Sequence, residues 1–104
     1  MAGAPKFSHT TALVLAAIGA GHVYGYTVME ATGLPSGTVY PVLRRLEEDR
    51  LIRSQRERQS IADAEQRPAR KYYKLMRTGE AALEAARQRY PLLAKMTPAE
   101  AKDA

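Results

Sequence analysis

The hydrophobic residues in the first third of the chain recur every three or four positions, which is the spacing of a buried helix face. A first helix is predicted to begin at Ser8 or Thr10 and to run to about Ile18, with Gly19 and Gly21 at its end. The positions that recur on its buried side are Leu13, Ala16, Ala17 and Ala20. Because these side chains are mostly small, another helix can approach this side closely.

A second, shorter helix is predicted over residues 25–32, and Gly33 ends it because glycine readily adopts the left-handed backbone of a helix stop. The stretch TGLPS at 32–36 then forms a compact turn. Ser36 or Thr38 is expected to cap the helix that follows. Two helices joined by a tight turn that contains glycine form a helix-turn-helix pattern.

The third helix is predicted to have one apolar face and one exposed face. The apolar residues at positions i, i+3, i+4 and i+7 are Val39, Val42, Leu43 and Leu46. The residues on the opposite side are Gly37, Pro41, Arg44 and Glu48, flanked by Tyr40 and Arg45. Pro41 is expected within the first turns of this helix, where few of its neighbours' N–H groups have a helical partner.

Two strands are predicted after the third helix, over residues 51–58 and 69–76, and a polar connection joins them as a hairpin with a long tip. In the second strand, alternation places Tyr72 on one face and Tyr73 on the other. The basic residues where the tip returns into this strand are Arg67, Arg70 and Lys71. Since two strands are not stable alone in water, the hairpin must pack on the helices.

A fourth helix is predicted from Thr78 to Tyr90, and Pro91 interrupts it. The sequence TPAE at 97–100 has the pattern of a capping box and is predicted to open one more helix. Three helices followed by a basic hairpin form a winged helix. The expected fold class is mainly α with a two-stranded β-wing (α+β). Residues 1–77 are expected to form a winged helix-turn-helix DNA-binding domain, and residues 78–104 a C-terminal helical dimerisation segment of the same single domain.

The positive charge of the chain is concentrated around the third helix and the hairpin. The chain of 104 residues carries a formal net charge of +5, and its pI is about 9.7. Eleven of its sixteen Lys and Arg residues, but only six of its eleven Asp and Glu residues, lie between Arg44 and Arg77. A solvated face is one interpretation of this charge, and an anionic partner is the other.

The residue types exclude several classes of function. There is no cysteine, so disulfides, thiolate metal sites and thiol nucleophiles are absent, which is compatible with a reducing cytoplasm. No apolar run reaches the roughly 20 residues of a membrane span. The two histidines, His9 and His22, lie in the N-terminal third, and no glycine-rich phosphate loop is present. We therefore expect a cytoplasmic protein that is not an enzyme and has no catalytic residues, metal site or cofactor.

The exposed face of the third helix has the chemistry of a DNA-reading surface. Gly37 lets the backbone approach a phosphate, and the helix N-terminus offers unpaired N–H groups and a positive partial charge. Tyr40 can present its hydroxyl to a phosphate, while Arg44 can reach a base edge such as guanine O6 and N7. Each residue also has a simpler interpretation. Tyr40 can pack beside the core, and Arg44 and Arg45 can pair with the acidic residues along the helix, Glu48 or Asp49.

The basic residues of the hairpin have two interpretations as well. They can be solvated charges at the tip, or they can contact phosphates or the minor groove of DNA.

The sequence resembles the PadR family of bacterial transcriptional regulators over roughly residues 11–83. The matching strings are VYGYTVM (23–29), LPSGTVYPVLRRLEEDRLI (34–52), RKYYKL (70–75) and GEAAL (79–83). The resemblance implies a dimeric winged-helix repressor that binds a roughly palindromic operator in double-stranded DNA. The DNA-binding residues that it implies are Tyr24, Ser36, Gly37, Thr38, Tyr40, Pro41, Arg44 and, in the wing, Arg67, Arg70 and Lys71. The family usually has glycine where this chain has Arg50, and a threonine cap of the fourth helix is expected at Thr78.

The homodimer is expected to form through the first helix and residues 79–96. The residues assigned to this interface are Leu13, Ala17, Leu83, Ala86, Tyr90 and Leu93. Two alternatives remain: a winged-helix module that binds an acidic protein, and a ligand-sensing regulator with an apolar pocket at the dimer interface. A small-molecule effector is left open as a further partner, and no membrane association is expected.

Overall fold

The computed structural model describes residues 7–96 and 98–99. Its elements are α1 (His9–Gly19), α2 (Gly25–Thr32), α3 (Ser36–Glu48), β1 (Ile52–Arg56), α4 (Gln59–Ala64), β2 (Lys71–Leu75), α5 (Arg77–Arg89) and a 3₁₀ helix (Pro91–Lys95). The fold is mainly helical with a two-stranded antiparallel sheet, which confirms the predicted α+β class. The predicted capping box lies outside the described residues at Thr97 and Glu100. No helix in the described part of the chain is long and apolar enough to cross a membrane.

The first helix lies at the centre of the core. Ser8 caps it, as predicted, by accepting a hydrogen bond from the backbone N–H of Thr11 at 3.1 Å. The buried residues of α1 are Ala12, Val14, Leu15, Ala16, Ala17 and Ile18. Leu13 and Ala20, which were predicted on the buried side, are only half-buried. The prediction of a one-sided stripe was wrong because α2, α3, α5 and β2 all pack against this helix.

The third helix begins at Ser36, with Pro35 in the N-cap position. Pro35 makes no side-chain hydrogen bond, so the predicted cap by Ser36 or Thr38 is wrong. The carbonyl of Pro35 instead accepts hydrogen bonds from the N–H groups of Thr38 and Val39, both at 3.0 Å. The start of the helix is therefore closed by backbone hydrogen bonds alone.

Pro41 lies inside α3, in its second turn, which is within the first turns as predicted. Because proline has no N–H group, the carbonyl of Gly37 loses its helical partner four residues on. Both residues are exposed, so water can replace the missing hydrogen bond. The opposite side of the helix forms core as predicted, and its buried residues are Val39, Leu43 and Leu46.

The turn that leaves α3 contains a left-handed residue that is not glycine. Arg50 has a φ of 61°. Its N–H donates to the carbonyl of Glu47, and the N–H of Leu51 donates to the carbonyl of Leu46, both at 3.0 Å. These two hydrogen bonds form a Schellman motif, which requires this conformation. The side chain of Arg50 therefore costs about 1 kcal/mol relative to glycine at this position.

Residues 52–75, which we call the wing, contain the two strands. The cross-strand partners are Ile52 and Leu75, Arg53 and Lys74, Ser54 and Tyr73, Gln55 and Tyr72, and Arg56 and Lys71. Tyr73 faces the core and is buried, in agreement with the predicted alternation. A further pairing joins the wing to the segment before α2: Tyr24 forms an isolated bridge with Tyr72, and the N–H of Tyr73 donates to the carbonyl of Val23 at 2.8 Å.

The tip of the wing contains a helix that the sequence did not predict. Gln59–Ala64 forms α4, and Ala62 in it is fully buried. A helix of six residues with a single buried side chain has no periodic apolar pattern, so the segment was predicted only as a polar connection.

The fifth helix begins at Arg77, one residue before the predicted start, and Met76 occupies its N-cap without a side-chain hydrogen bond. Thr78 is therefore not the cap. Its hydroxyl donates to the carbonyl of Arg50 instead, which ties the start of α5 to the turn after α3.

Four of the six residues assigned to the dimer interface are buried within this chain: Ala17, Leu83, Ala86 and Leu93. They are buried because α5 and the 3₁₀ helix pack on α1 of the same chain. Leu13 and Tyr90 are half-buried. The Tyr90 hydroxyl donates to the carbonyl of Phe7 at 3.0 Å. In this arrangement, Leu13 and Tyr90 are the assigned residues that keep accessible surface, and the neighbouring Leu92 is 71% exposed.

Candidate nucleic-acid interface

The predicted DNA-reading face of α3 is open to solvent. Gly37, Pro41 and Arg44 are all exposed. A Cβ atom added to Gly37 would meet nothing within 4 Å, so the backbone at this position is accessible to a large partner. The first turn also contains the two hydroxyl residues that the resemblance assigned: Ser36 is exposed and Thr38 is half-buried.

Tyr40 combines the two interpretations that the sequence left open. Its ring packs over Gly25 in the first turn of α2, where an added Cβ would lie 2.5 Å from both the ring edge and the hydroxyl oxygen. The residue is nevertheless 43% exposed. The absence of a Cβ atom at Gly25 therefore leaves room for the Tyr40 ring, and the rest of the ring surface stays accessible.

The arginines of α3 do not pair with the acidic residues that follow them. Within the described part of the chain, neither Arg44 nor Arg45 makes an ion pair or a hydrogen bond. The alternative of pairing with Glu48 or Asp49 is not observed. Arg44 thus presents to solvent a guanidinium group without a partner in the described residues, on the same exposed face as Gly37.

Three tyrosines and one arginine form a cluster between the start of α2 and the wing. The rings of Tyr24 and Tyr26 stack at 5.7 Å between centroids, and Tyr72 meets Tyr24 edge-on at 6.4 Å. The guanidinium carbon of Arg70 lies 4.9 Å from the Tyr26 centroid and 5.5 Å from that of Tyr24. An Arg70 Nη1–H group also donates to the Tyr26 hydroxyl at 3.1 Å. Tyr24 and Arg70, both predicted to bind DNA, are thereby brought together.

Arg67 forms an ion pair inside the wing. Its Nη1 and Nη2 groups donate to the two carboxylate oxygens of Glu57 at 2.6 and 2.9 Å. The backbone N–H of Arg70 donates to the same carboxylate at 3.2 Å. Glu57 is 9% exposed, and the hydrogen bonds from Arg67 lower the pKa of its carboxyl to about 2, against an ordinary value of 4.5. The structure assigns Arg67 to holding the wing tip together, which a prediction from charge alone did not anticipate.

This ion pair predicts how the wing responds to acid. Because the pKa of Glu57 is lowered in the folded protein, its contribution to stability is present above about pH 4.5 and is lost as the pH falls towards 2. We expect carboxyl-detected NMR to follow Glu57 titrating near pH 2, and Arg67→Gln to raise its pKa towards 4.5. Arg58→Gln removes a neighbouring arginine that does not bind the carboxylate, and is the control. Titration of Glu57 near 4.5 in the unmodified protein would contradict the ion pair.

The remaining basic residues of the wing include one that sequence reasoning missed. Lys71 is predicted to bind DNA, lies 3.7 Å from Glu47 of α3, and keeps 57% of its side chain exposed. Arg56 stands directly opposite Lys71, is exposed, and makes no ion pair within the described residues. Like charges on opposed strand positions repel each other. The pair therefore forms a concentrated positive site beside α3. Arg56 could have been identified from the sequence only if the register of the two strands had been known.

A cavity of about 770 Å³ lies between the start of α2 and residues 98–99. Its walls include the side chains of Tyr24, Tyr26 and Glu30. The sequence had suggested an apolar pocket between two subunits, whereas this cavity is formed within one chain.

A helix-turn-helix followed by an antiparallel basic hairpin defines a winged-helix protein, and its α3 and wing form adjoining basic surfaces. The model of the PadR-like family of transcriptional regulators matches residues 14–85. The chain belongs to this family, whose members are DNA-binding regulators and not enzymes.

Solved structures agree with this assignment. A PadR family transcription regulator from Clostridium difficile has a TM-score of 0.69 and 26% identity, and the match covers 85% of this chain and 93% of that one. A transcriptional regulator from Streptococcus has a TM-score of 0.62 and 29% identity, with 82% and 84% covered. Bordetella bronchiseptica BpsR, whose DNA binding is regulated by 6-hydroxynicotinic acid, has a TM-score of 0.67 with 86% and 64% covered. At 21% identity it shares the fold alone. A search of curated protein sequences found no significant match.

Proposed function

We propose that this protein is a sequence-specific repressor of PadR type that binds a roughly palindromic operator as a homodimer. The third helix enters the major groove, and the wing lies on the flanking backbone or in the minor groove. The observation that carries this proposal is the exposed face of α3, where Arg44 has no partner among the described residues and Gly37 has open space around it. An arginine with free donors is the side chain that reads guanine in the major groove.

The proposed interface is the predicted one with two changes. Arg67 is removed, because both ends of its guanidinium group bind Glu57, and Arg56 is added beside Lys71. The residues kept from the prediction are Tyr24, Ser36, Gly37, Thr38, Tyr40, Pro41, Arg44, Arg70 and Lys71. We place the homodimer contact at Leu13, Tyr90 and Leu92, which have accessible surface, and the protein in the cytoplasm, where its operator would be.

A substitution at Gly37 distinguishes an effect on DNA binding from an effect on the stability of the fold. In the free protein, Gly37→Ala adds a methyl group to open space and improves helix propensity by up to about 1 kcal/mol, so the free energy of unfolding should stay the same or rise. If the backbone of Gly37 approaches a phosphate, the same methyl group should weaken binding to duplex DNA at least several-fold. Fluorescence anisotropy with a labelled duplex and thermal unfolding measure the two effects. Unchanged duplex affinity would remove Gly37 from the interface.

The competing function is a module that binds an acidic protein through its basic wing. Anisotropy titrations of a random-sequence duplex at several salt concentrations distinguish it from a DNA regulator, because phosphate contacts give a linear dependence of log K on log salt. The proposed function predicts measurable duplex binding at physiological salt. Binding to a polyglutamate chain with none to duplex DNA would favour the competing module.

A ligand-sensing role is a second candidate, and the cavity beside α2 is the observation that favours it. Its volume of about 770 Å³ is within the range of small-molecule sites. Since it lies within one chain, such an effector would act on the start of α2 and not between subunits.

A further inference from the structure

We propose that Tyr26, supported by Tyr24, positions Arg70 for contact with a DNA phosphate, so that the first turn of α2 controls how the wing binds. The inference rests on the proposed function, and it assigns a role to Tyr26, a residue of the VYGYTVM string to which the sequence had given no individual role. Arg70 is the residue that would touch DNA, and Tyr26 would act only through it.

The contacts hold the guanidinium group of Arg70 in place but leave most of its N–H donors available. Its central carbon lies 4.9 Å from the Tyr26 centroid and 5.5 Å from the Tyr24 centroid, and one Nη1–H group donates to the Tyr26 hydroxyl. The backbone N–H of Arg70 is donated to Glu57. An arginine side chain has five N–H donors, so a single hydrogen bond to Tyr26 leaves most of them for a phosphate.

The exposure of Tyr26 argues against a purely structural role. Its side chain is 43% exposed and is not part of the buried core. We therefore expect removal of the ring to leave the packing of α1 and α3 unchanged. The ring of Tyr26 contacts Tyr24, on which it stacks, and Arg70, which lies in the wing 44 residues further along the chain.

The same turn of α2 also contacts a residue of α3. Gly25, between the two tyrosines, is the surface on which the ring of Tyr40 packs. Tyr24 pairs with Tyr72 of β2 through a backbone bridge. The sequence Tyr24-Gly25-Tyr26 thus contacts both DNA-binding elements and sets their relative position. An arginine that is already held in place loses less conformational freedom on binding than a free one.

The test measures the salt dependence of duplex binding for Tyr26→Ala, Arg70→Gln and the double variant. Each neutralised phosphate contributes about 0.9 to the slope of log K against log salt. We expect Arg70→Gln to reduce the slope by about that amount. Tyr26→Ala should cause the same reduction although tyrosine carries no charge, and the double variant should lose no more. Tyr26→Phe keeps the ring and should keep the slope, and thermal unfolding checks that all variants fold.

Several outcomes would overturn the inference. An unchanged slope for Tyr26→Ala would mean that any effect of Tyr26 does not pass through Arg70, and an unchanged slope for Arg70→Gln would remove Arg70 from the interface. A Tyr26→Phe variant as impaired as Tyr26→Ala would overturn the role given to the ring.

A measurement without DNA separates this inference from the proposed function. The side-chain Nε–H signal of Arg70 should be sharp in the free protein and should broaden in Tyr26→Ala but not in Tyr26→Phe. If this is observed while the protein binds no duplex, the contact between Tyr26 and Arg70 is confirmed. The proposed function is then wrong, and so is the proposed phosphate contact of Arg70. If the signal is the same in all three proteins, Tyr26 does not hold Arg70 in place and the inference is wrong.

Discussion

Replacing Gly79 by alanine is expected to destabilise the fold by about 3 kcal/mol, the upper end for an overpacked site. Gly79 is buried in the first turn of α5, and an added Cβ would collide with the backbone carbonyl of Leu51. That carbonyl cannot easily move away, because it accepts a hydrogen bond from the N–H of Met76 at 2.9 Å. The measurement is the free energy of unfolding in a denaturant titration.

Gly37→Ala is the matched control for this change, since it is the same substitution in a helix but in open space. It should leave the denaturant midpoint unchanged or raise it. Equal midpoints for Gly79→Ala and the unmodified protein would show that α5 does not approach the turn after α3 as closely as described.

The second large effect concerns recognition. Arg44→Ala is expected to weaken binding to the preferred operator by about 1–3 kcal/mol and to relax specificity at one base pair in each half-site. The reason is that Arg44 lies on the exposed face of α3 and has no hydrogen-bond or ion-pair partner among residues 7–96 and 98–99, so its donors are available to a base. The measurement is the affinity for the preferred operator and for its single-base variants.

Arg45→Ala is the control, because Arg45 also lacks a partner among the described residues but lies to the side of that face. It should weaken all duplexes equally or not at all. If Arg44→Ala also weakens every duplex by the same factor, Arg44 contacts a phosphate and the assignment to a base is wrong.

The order of the helices and the two faces of α3 could be predicted from the sequence. Amphipathic spacing in α3, the Gly33 stop after α2 and the adjacent tyrosines of β2 are local signals of this kind. The burial of α1 could not be predicted in the same way. A helix that neighbours surround has no polar face, so its periodicity does not indicate which residues remain accessible.

Exposure that follows from helix geometry could be predicted, as for Gly37 and Arg44 on α3. Contacts with a partner that is distant in the sequence could not. Arg67 binds Glu57 across the wing tip, and α4, which sets the shape of that tip, left no pattern. The link from Tyr26 to Arg70 spans 44 residues and depends on the bridge between Tyr24 and Tyr72. Such pairings become visible only when the chain is folded.

The dimer assignment shows the same limit. Leu83 and Ala86 form an apolar stripe on α5, and a stripe of this kind fits a partner subunit or the same chain equally well. Here α1 of the same chain covers it. A stripe alone therefore does not distinguish an interface from a core.

The most direct test of the proposed function is selection of bound sequences from a random duplex library by the full chain at physiological salt. We expect enrichment of a roughly palindromic sequence whose half-sites lie about 10 bp apart from centre to centre, as a dimer on one face of DNA requires. With Arg44→Ala, the enriched motif should lose information at the base pair that Arg44 reads. Recovery of unenriched random sequence by the unmodified protein would contradict the account.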